Sequence, residues 1–421
     1  MTIAHEGTRA HLQSLFTEHF GEPSGLPFVY ASAPGRVELA GNHTDHQGGH
    51  TIAAAIDRRA SALAIPNNTN EIHIVMEGFG KACLHLSELE ARESERETSQ
   101  SLVRGMVAAY VESGGTVCGF DAVTCSDIPA GSGLSSSAAF EMLLGVMLRA
   151  LDESEGEAAV FDPTTLALEG VWAEHNYFGK PCGQQDQLAS AHGGIQAMDF
   201  SDVFPRVSPI AFDMSSCAYA LVLIDSQHDH SSHTDEYAAI TADMRAVALF
   251  FGSEKLEEIP YRTFLEQLSP VRNQWGDLTV LRALHYFEET RRAQAQEQAL
   301  RTGDFEKFLE GVRQSGASSA QFLQNVSPRV SGSTASQPAM VILALCMALL
   351  DKGSSLESAG RKTRGRGAYR IHGGGFDGSV LAFVPQIEVE VFMARMNELL
   401  GYEACRTVAI DPLGATAARL I

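Results

Sequence analysis

Between residues 35 and 50 the chain reads "GRVELAGNHTDHQGGH", which sets one arginine, two carboxylates and three histidines among four glycines. Such a mixture can hold a metal ion or a polyhydroxylated ligand. His43, His46 and His50, together with "HDHSSH" at 228–233, supply imidazoles. Neither run has the H-E-x-x-H spacing that puts two histidines on one helix face, and Gly48 and Gly49 argue for a loop. A sugar hydroxyl both donates and accepts, so a polyol pocket wants carboxylate, imidazole and amide groups crowded on one rigid turn. "ELAGNHTDH" offers all three.

A second stretch, "IPAGSGLSSSAAFEM" at 128–142, runs a glycine-serine turn straight into helical sequence. Gly131 and Gly133 allow backbone N–H groups to close around an anion where a helix N-terminus presents unpaired donors and the positive end of its dipole. A serine cap on a core helix would explain one serine, not three in a row. No G-x-x-x-x-G-K-[ST] run occurs in the chain, so phosphate charge falls to amides and to Mg²⁺ held by hard oxygens such as a serine hydroxyl and a carboxylate. "AEHNYFGKPCGQQDQLAS" at 173–190 supplies carboxylates, with Glu174 near a helix end and Asp186 in a loop after a glycine. A carboxylate that takes a proton from a hydroxyl stays ionised beside a cation, and Arg36 is the candidate if the two loops meet. "GGGFDG" at 373–378 matches G-x-G-x-x-G in form. It leads into a strand and not a helix, so a tight hairpin turn is expected, with room for close backbone approach.

The elements that must position these groups alternate in type. A helix ending at Gly21 precedes strands at "FVYASA", "RVELAG", "RASALAIP" and "IHIVMEG". A helix at "SLVRGMVAAYVESGG", a strand at "FDAVTCS" and the helix after the glycine-serine turn follow, then a helix ending at Gly179 and strands at "GGIQAMDF" and "AYALVLIDS". From Thr234 to about Asn325 the pattern is almost continuously helical, and the tail returns to strands around "GGGFDG", a helix near 388–400 and a strand at "CRTVAI". The apolar run "AMVILALCMALL" at 339–350 is too short to span a bilayer and is expected to be a buried helix. The composition shift near 200–235 suggests two α+β domains, 1–210 and 211–421.

Composition excludes several partners. The chain has 421 residues and a formal charge of -21, which repels nucleic-acid phosphates and anionic lipid. Seven cysteines without a C-x-x-C pair suggest neither a zinc ribbon nor a disulfide framework, and with no export signal the expectation is a cytoplasmic protein with reduced thiols. The oligomeric state is open and a monomer is compatible with all of this.

In order along the chain, "GRVELAGNHTDHQGG", "PAGSGLSSSAA" and "GGGFDG" resemble the three motifs of the galactokinase branch of the GHMP small-molecule kinases, and "AEHNYFGKPCGQQDQ" and "DSQHDHSSHTDEY" resemble further segments between them. The resemblance implies a two-domain α+β architecture with mixed or antiparallel sheets and a cleft between the domains. It also implies ATP-dependent, Mg²⁺-assisted phosphorylation of galactose at its anomeric hydroxyl. Asp186 would be the catalytic carboxylate and Arg36 its partner. Gly131, Ser132, Gly133, Leu134, Ser135, Ser136 and Ser137 would hold the nucleotide phosphates, with Ser137 and Glu174 on the metal. Asn42, His43, Thr44, Asp45, Gly183 and Tyr237 would line the sugar pocket. Against the usual pattern, Asn42 replaces a Glu that contacts the sugar's exocyclic hydroxyl, Glu38 an Asn, His46 a Tyr, and Ser132 and Asp377 each a Gly. These departures keep a kinase for an amino sugar or a pentose as an alternative; a non-catalytic sugar and ATP sensor would show a damaged Asp186, Arg36 or "GLSSS", and none is damaged.

Overall fold

A computed structural model describes residues 3–22, 28–129, 131, 133–152, 161–180, 182–228, 234–328, 336–351 and 367–420. Ser132, His230 and His233 lie outside the described residues.

The first sheet is built from β1 (Phe28–Ala40), β2 (His50–Pro66), β3 (Glu71–Met76), β4 (Gly80–His85), β5 (Phe120–Ser126), β6 (Ile195–Asp199) and β7 (Arg206–Pro209). The second contains β8 (Tyr219–Ile224), β9 (Ala368–Ile371), β10 (Val380–Pro385) and β11 (Cys405–Val408). A last strand, β12 (Thr416–Leu420), returns to the first sheet and pairs with β1. Its order is β12-β1-β2-β5-β3-β4, with β6 on β2 and β7 on β6, and that of the second sheet is β11-β8-β10-β9. Pairing is antiparallel except between β3 and β5, so the first sheet is mixed and the second antiparallel.

The helices are α1 (Ile3–Phe20), α2 (Ser99–Glu112), α3 (Ser136–Leu151), α4 (Pro163–Ala173), α5 (Gln185–His192) and α6 (Thr234–Phe250). After them come α7 (Tyr261–Glu266), α8 (Leu268–Trp275), α9 (Asp277–Thr302), α10 (Phe305–Ser318), α11 (Pro338–Leu350) and α12 (Val389–Leu400).

Side chains alternate across a strand, and that sorts the cores. Val29, Ala31 and Ala33 of β1 with Ala60, Ala62 and Ala64 of β2 face Met142, Leu143 and Met147 of α3 and Met106 of α2. Tyr30, Leu63, Ile65 and Val123 point the other way, onto Leu12 and Phe16 of α1. In the second sheet Val222, Ile224, Val380 and Ala382 pack under Ile342 and Cys346 of α11 and Phe392 of α12. Leu221, Leu223, Leu381 and Phe383 face Phe305 and Phe308, and so join the core of the first sheet.

Four local readings change. "FVYASA" and "RVELAG" are one strand, because β1 absorbs Pro34 and Gly35 as an irregularity in its pairing with β2. Three short strands, β4, β7 and β12, carry too few apolar residues to have stood out. Asp186 lies in the first turn of α5, not in a loop. The apolar helix α11 is only half buried: Ile342, Cys346 and Leu349 are covered, whereas Met340, Val341 and Met347 are exposed.

Candidate active site

The loops at the ends of β1, β5, α4 and β9 meet in a cleft of about 300 Å³, large enough for a small-molecule ligand. Arg36 enters from β1 and is 5% exposed. Its Nε and Nη2 each donate to Asp186, at 2.7 Å to Oδ1 and 2.7 Å to Oδ2. Its Nη1 donates to the Gly133 carbonyl at 2.6 Å. One guanidinium therefore ties the carboxylate to the glycine loop in a planar, two-pronged pair.

Ser135 precedes α3 in the left-handed region, at φ 57° and ψ 56°. Its hydroxyl does not cap the helix; it donates to Asp186 Oδ2. The first amides of α3 are thus left without a side-chain acceptor, at the positive end of a 16-residue helix. Gly131 and Gly133 supply φ values of 69° and 74°, which a residue with a Cβ adopts only under strain. The cleft is lined here by Gly131, Gly133, Leu134, Ser135, Ser136 and Ser137.

Glu174 stands where α4 widens into a π-turn, Glu174–Phe178. Such turns recur at functional sites. Ser137 Oγ donates to Glu174 Oε1 at 3.3 Å, and Gln187 Nε2 donates to Glu174 Oε2 at 3.1 Å and to Glu141 Oε2 at 3.0 Å. A hydroxyl and a nearly buried carboxylate held side by side are the hard-oxygen set that Mg²⁺ takes alongside phosphate oxygens and water. Among the described residues no group of three or more His, Cys, Asp or Glu side chains forms a metal cage.

Of the expected sugar-pocket residues, His43, Asp45, Gly183 and Tyr237 line the cleft. Asn42 and Thr44 do not. Thr44 Oγ1 donates to the carbonyls of Gly41 and His50 at 2.9 and 3.1 Å, locking the turn. Asn42, fully buried, donates to Glu38 Oε1 at 3.0 Å and to the Gly373 carbonyl at 2.7 Å. Its Oδ1 accepts from Ser319 and Asn325 at 3.1 and 3.0 Å. Its amide is consumed inside the protein. Gly183 is required by contact, since a Cβ there would stand 1.7 Å from Asp45 Oδ2. His43 Nε2 donates to the Gly374 carbonyl at 3.0 Å, and its ring lies 4.9 Å from that of Tyr237.

Burial pushes Asp186 up, but the Arg36 charge and the hydrogen bonds from Arg36 and Ser135 outweigh it and hold the carboxyl below its ordinary range. Asp45 moves the other way: burial first, then the Asp186 charge, raise it. Burial and the neighbouring His46 lower His43 to about 3, so its ring is neutral. With Nε2 donating, Nδ1 is an acceptor, and it has no partner. Burial also keeps Tyr237 a phenol and, aided by the Glu174 charge, raises Glu141 well above the carboxylate range.

Lys180 and Glu38, with Pro129, Cys182 and Gln185, are cleft residues that a reading of spacing alone leaves out. Lys180 reaches the cleft, its Nζ 3.9 Å from Glu174 Oε1; it lies in the same short run as Gly183, but nothing in its spacing marks it. Glu38 also lines the cleft, and here a signal exists: it stands two residues from Arg36 on a strand and so shares its face. Asp377 turns away from the cleft, its Oδ1 accepting from Ser327 Oγ at 3.0 Å and from the first-turn amide of Ala339 in α11 at 3.3 Å. Gly373, Gly374, Gly375 and Phe376 remain as the cleft's backbone wall.

The chain is similar to known proteins in sequence and in fold. The galactokinase galactose-binding signature matches residues 14–66, and the GHMP kinases N terminal domain matches residues 101–194. A galactokinase of Glaesserella parasuis serovar 5 (strain SH0165) is 28% identical over 393 residues, 92% of each chain. The structure of Lactococcus lactis galactokinase complexed with galactose superposes over 100% of both chains with a TM-score of 0.77 and 24% identity. The Methanococcus jannaschii mevalonate kinase superposes over 95% of this chain and all of its own with a TM-score of 0.57 and 13% identity. The last two likenesses establish the fold.

Proposed function

We propose, for a chain that matches the galactokinase galactose-binding signature and the GHMP kinases N terminal domain, that it transfers the γ-phosphoryl group of ATP to the anomeric hydroxyl of galactose. The observation that carries this reading is the two-pronged Arg36–Asp186 pair, set against uncapped helix amides on one side and a wall of carboxylate, imidazole and phenol groups on the other.

Phosphoryl transfer asks a protein chiefly for alignment and charge stabilisation. The glycine-serine loop and the first amides of α3 receive the phosphates of ATP. Ser137 and Glu174 would hold Mg²⁺, which when bound neutralises phosphate charge. Asp186, kept ionised, accepts a hydrogen bond from the anomeric hydroxyl and takes its proton as the new O–P bond forms and the bond from the γ-phosphorus to the bridging oxygen breaks, releasing ADP. Arg36 holds the Asp186 carboxylate in place and puts positive charge beside the transferring group. His43, Asp45 and Tyr237 orient the sugar. Segments before and after residue 210 both furnish the cleft, in keeping with a site between two domains.

Replacing Asp186 by Asn removes the acceptor and preserves the shape. Galactose phosphorylation with MgATP is expected to fall by about 10²-fold or more, with circular dichroism and nucleotide binding retained. Full turnover in that variant would refute the role of Asp186.

A further inference from the structure

The wall opposite the phosphate loop is assembled around Glu38. Its Oε1 accepts from Asn42 at 3.0 Å and from the fully buried Arg370, and its Oε2 accepts from Gln185 Nε2 at 3.2 Å. The main-chain N–H of Glu38 donates to His372 Nε2 at 2.9 Å. The carboxylate is therefore held from three directions, by β9, α5 and the turn at residue 42, and its main chain by the turn after β9, yet it still lines the cleft. Burying an ion pair costs desolvation that a packed apolar pair would avoid, which makes a cleft-facing Glu38–Arg370 pair a feature with a use beyond stability.

Two neighbours point to that use. Gln185 and His43 both line the cleft and are 5% exposed, and each keeps a buried acceptor, Gln185 Oε1 and His43 Nδ1, without a partner. Buried acceptors are ordinarily satisfied. A wall of a carboxylate and two unpaired acceptors is completed by hydroxyl donors. Spacing says which hydroxyls. Arg36 and Glu38 share one face of β1, in a regular stretch paired with Ala55 and Ala53, so their side chains leave the strand about 7 Å apart. Arg36 marks the reacting end, because it holds Asp186. A pyranose with its anomeric oxygen at Asp186 extends about that far to the hydroxyls on its opposite side.

Resting on the sugar-kinase reading above, we propose that Glu38 accepts a hydrogen bond from a sugar hydroxyl remote from the anomeric centre, and that Glu38 rather than Asn42 sets selectivity at that end. Asn42 serves it indirectly, by donating to Oε1 and holding the carboxylate in the cleft. Arg370 pairs with Glu38 and neutralises its charge.

The test is a cycle of kinetics in MgATP with galactose, 4-deoxygalactose and 6-deoxygalactose, for the native chain and Glu38→Gln. The native enzyme should lose on the order of tenfold to a hundredfold in kcat/KM on the deoxy sugar that lacks the contacted hydroxyl. Glu38→Gln should show a loss of similar size on galactose, carried mainly by KM, and no further loss on that deoxy sugar. Equal losses for the variant on all three sugars, or a fall in kcat with KM unmoved, would overturn the inference and leave the kinase reading intact. Native enzyme that phosphorylates none of the three would overturn both. Should Glu38→Gln fail to fold with Arg370 unpaired, the double variant Glu38→Gln/Arg370→Gln removes both buried charges and carries the same comparison.

Discussion

At Asp186 two opposed effects meet, and the sign of their sum decides whether the site can accept a proton. Burial disfavours the anion, while Arg36 and Ser135 favour it and prevail. A carboxyl depressed in the folded state adds stability above its unfolded value, and that stability is lost as pH falls through the folded value. The acid limb of kcat/KM should therefore lie below the ordinary 3.8 of an aspartate. Ser135→Ala deletes one hydrogen bond to the anion, so the limb should move upward in pH and kcat should fall about tenfold. Arg36→Met removes the largest of the lowering effects and leaves burial opposed only by the Ser135 hydrogen bond and the Lys180 charge, so the limb should move upward further than in Ser135→Ala. A pH–rate profile that stays in place in both variants would remove Asp186 from the chemistry. The same residue scale explains why "GLSSS" was legible early: left-handed glycines and consecutive serines at a helix mouth are local requirements of an anion loop. Which serine does what was not legible. Ser135 turns from the helix to Asp186 because Arg36 brings that carboxylate there from 150 positions away.

Elements act as levers on the side chains at their ends. α3, α4 and α5 converge on one amide, Gln187, which bridges Glu141 and Glu174. Burial and the adjacent Glu174 charge raise Glu141 well above the carboxylate range. Glu141→Gln, nearly the same shape without a charge to lose, should leave turnover within about threefold. Gln187→Met removes the donor that aims Glu174, and the magnesium concentration for half-maximal turnover should rise about tenfold, as losing a partner of a metal ligand does elsewhere. A magnesium titration monitored by calorimetry with ATP distinguishes this from general damage. Equal loss in both variants would mean that Glu141 is charged and bears on the metal directly. Helix periods in "PTTLALEGVWA" announced α4, but not its widening at Glu174, because a π-turn leaves no apolar signature of its own.

At the scale of the molecule the first strand is framed by distant parts of the chain. β12 pairs along β1 from Phe28 to Ser32, Arg419 donates to the carbonyls of Ala150 and Asp152, and Arg59 pairs with Asp411. Deleting residues 415–421 should bare the β1 edge, lower the melting midpoint by about 10 °C, and reduce turnover in parallel, since β1 carries Arg36 and Glu38. Unchanged melting by circular dichroism would show that the strand is dispensable. The amino-acid sequence by itself determined the alternation of strands and helices and the glycine-serine turn at a helix mouth, and offered Arg36 as the cation for Asp186 on condition that the two segments meet. These follow from apolar period, backbone freedom at glycine and the need of a working carboxylate for a cation. Tertiary structure alone decided that Asn42 faces inward, that Lys180 reaches Glu174, that Asp377 points away, and that α11 keeps one face open. The reason is that a side chain on a turn points toward whatever packs against it. For the Asn42 side chain those groups are Ser319, Asn325 and Gly373, which only folding brings within reach.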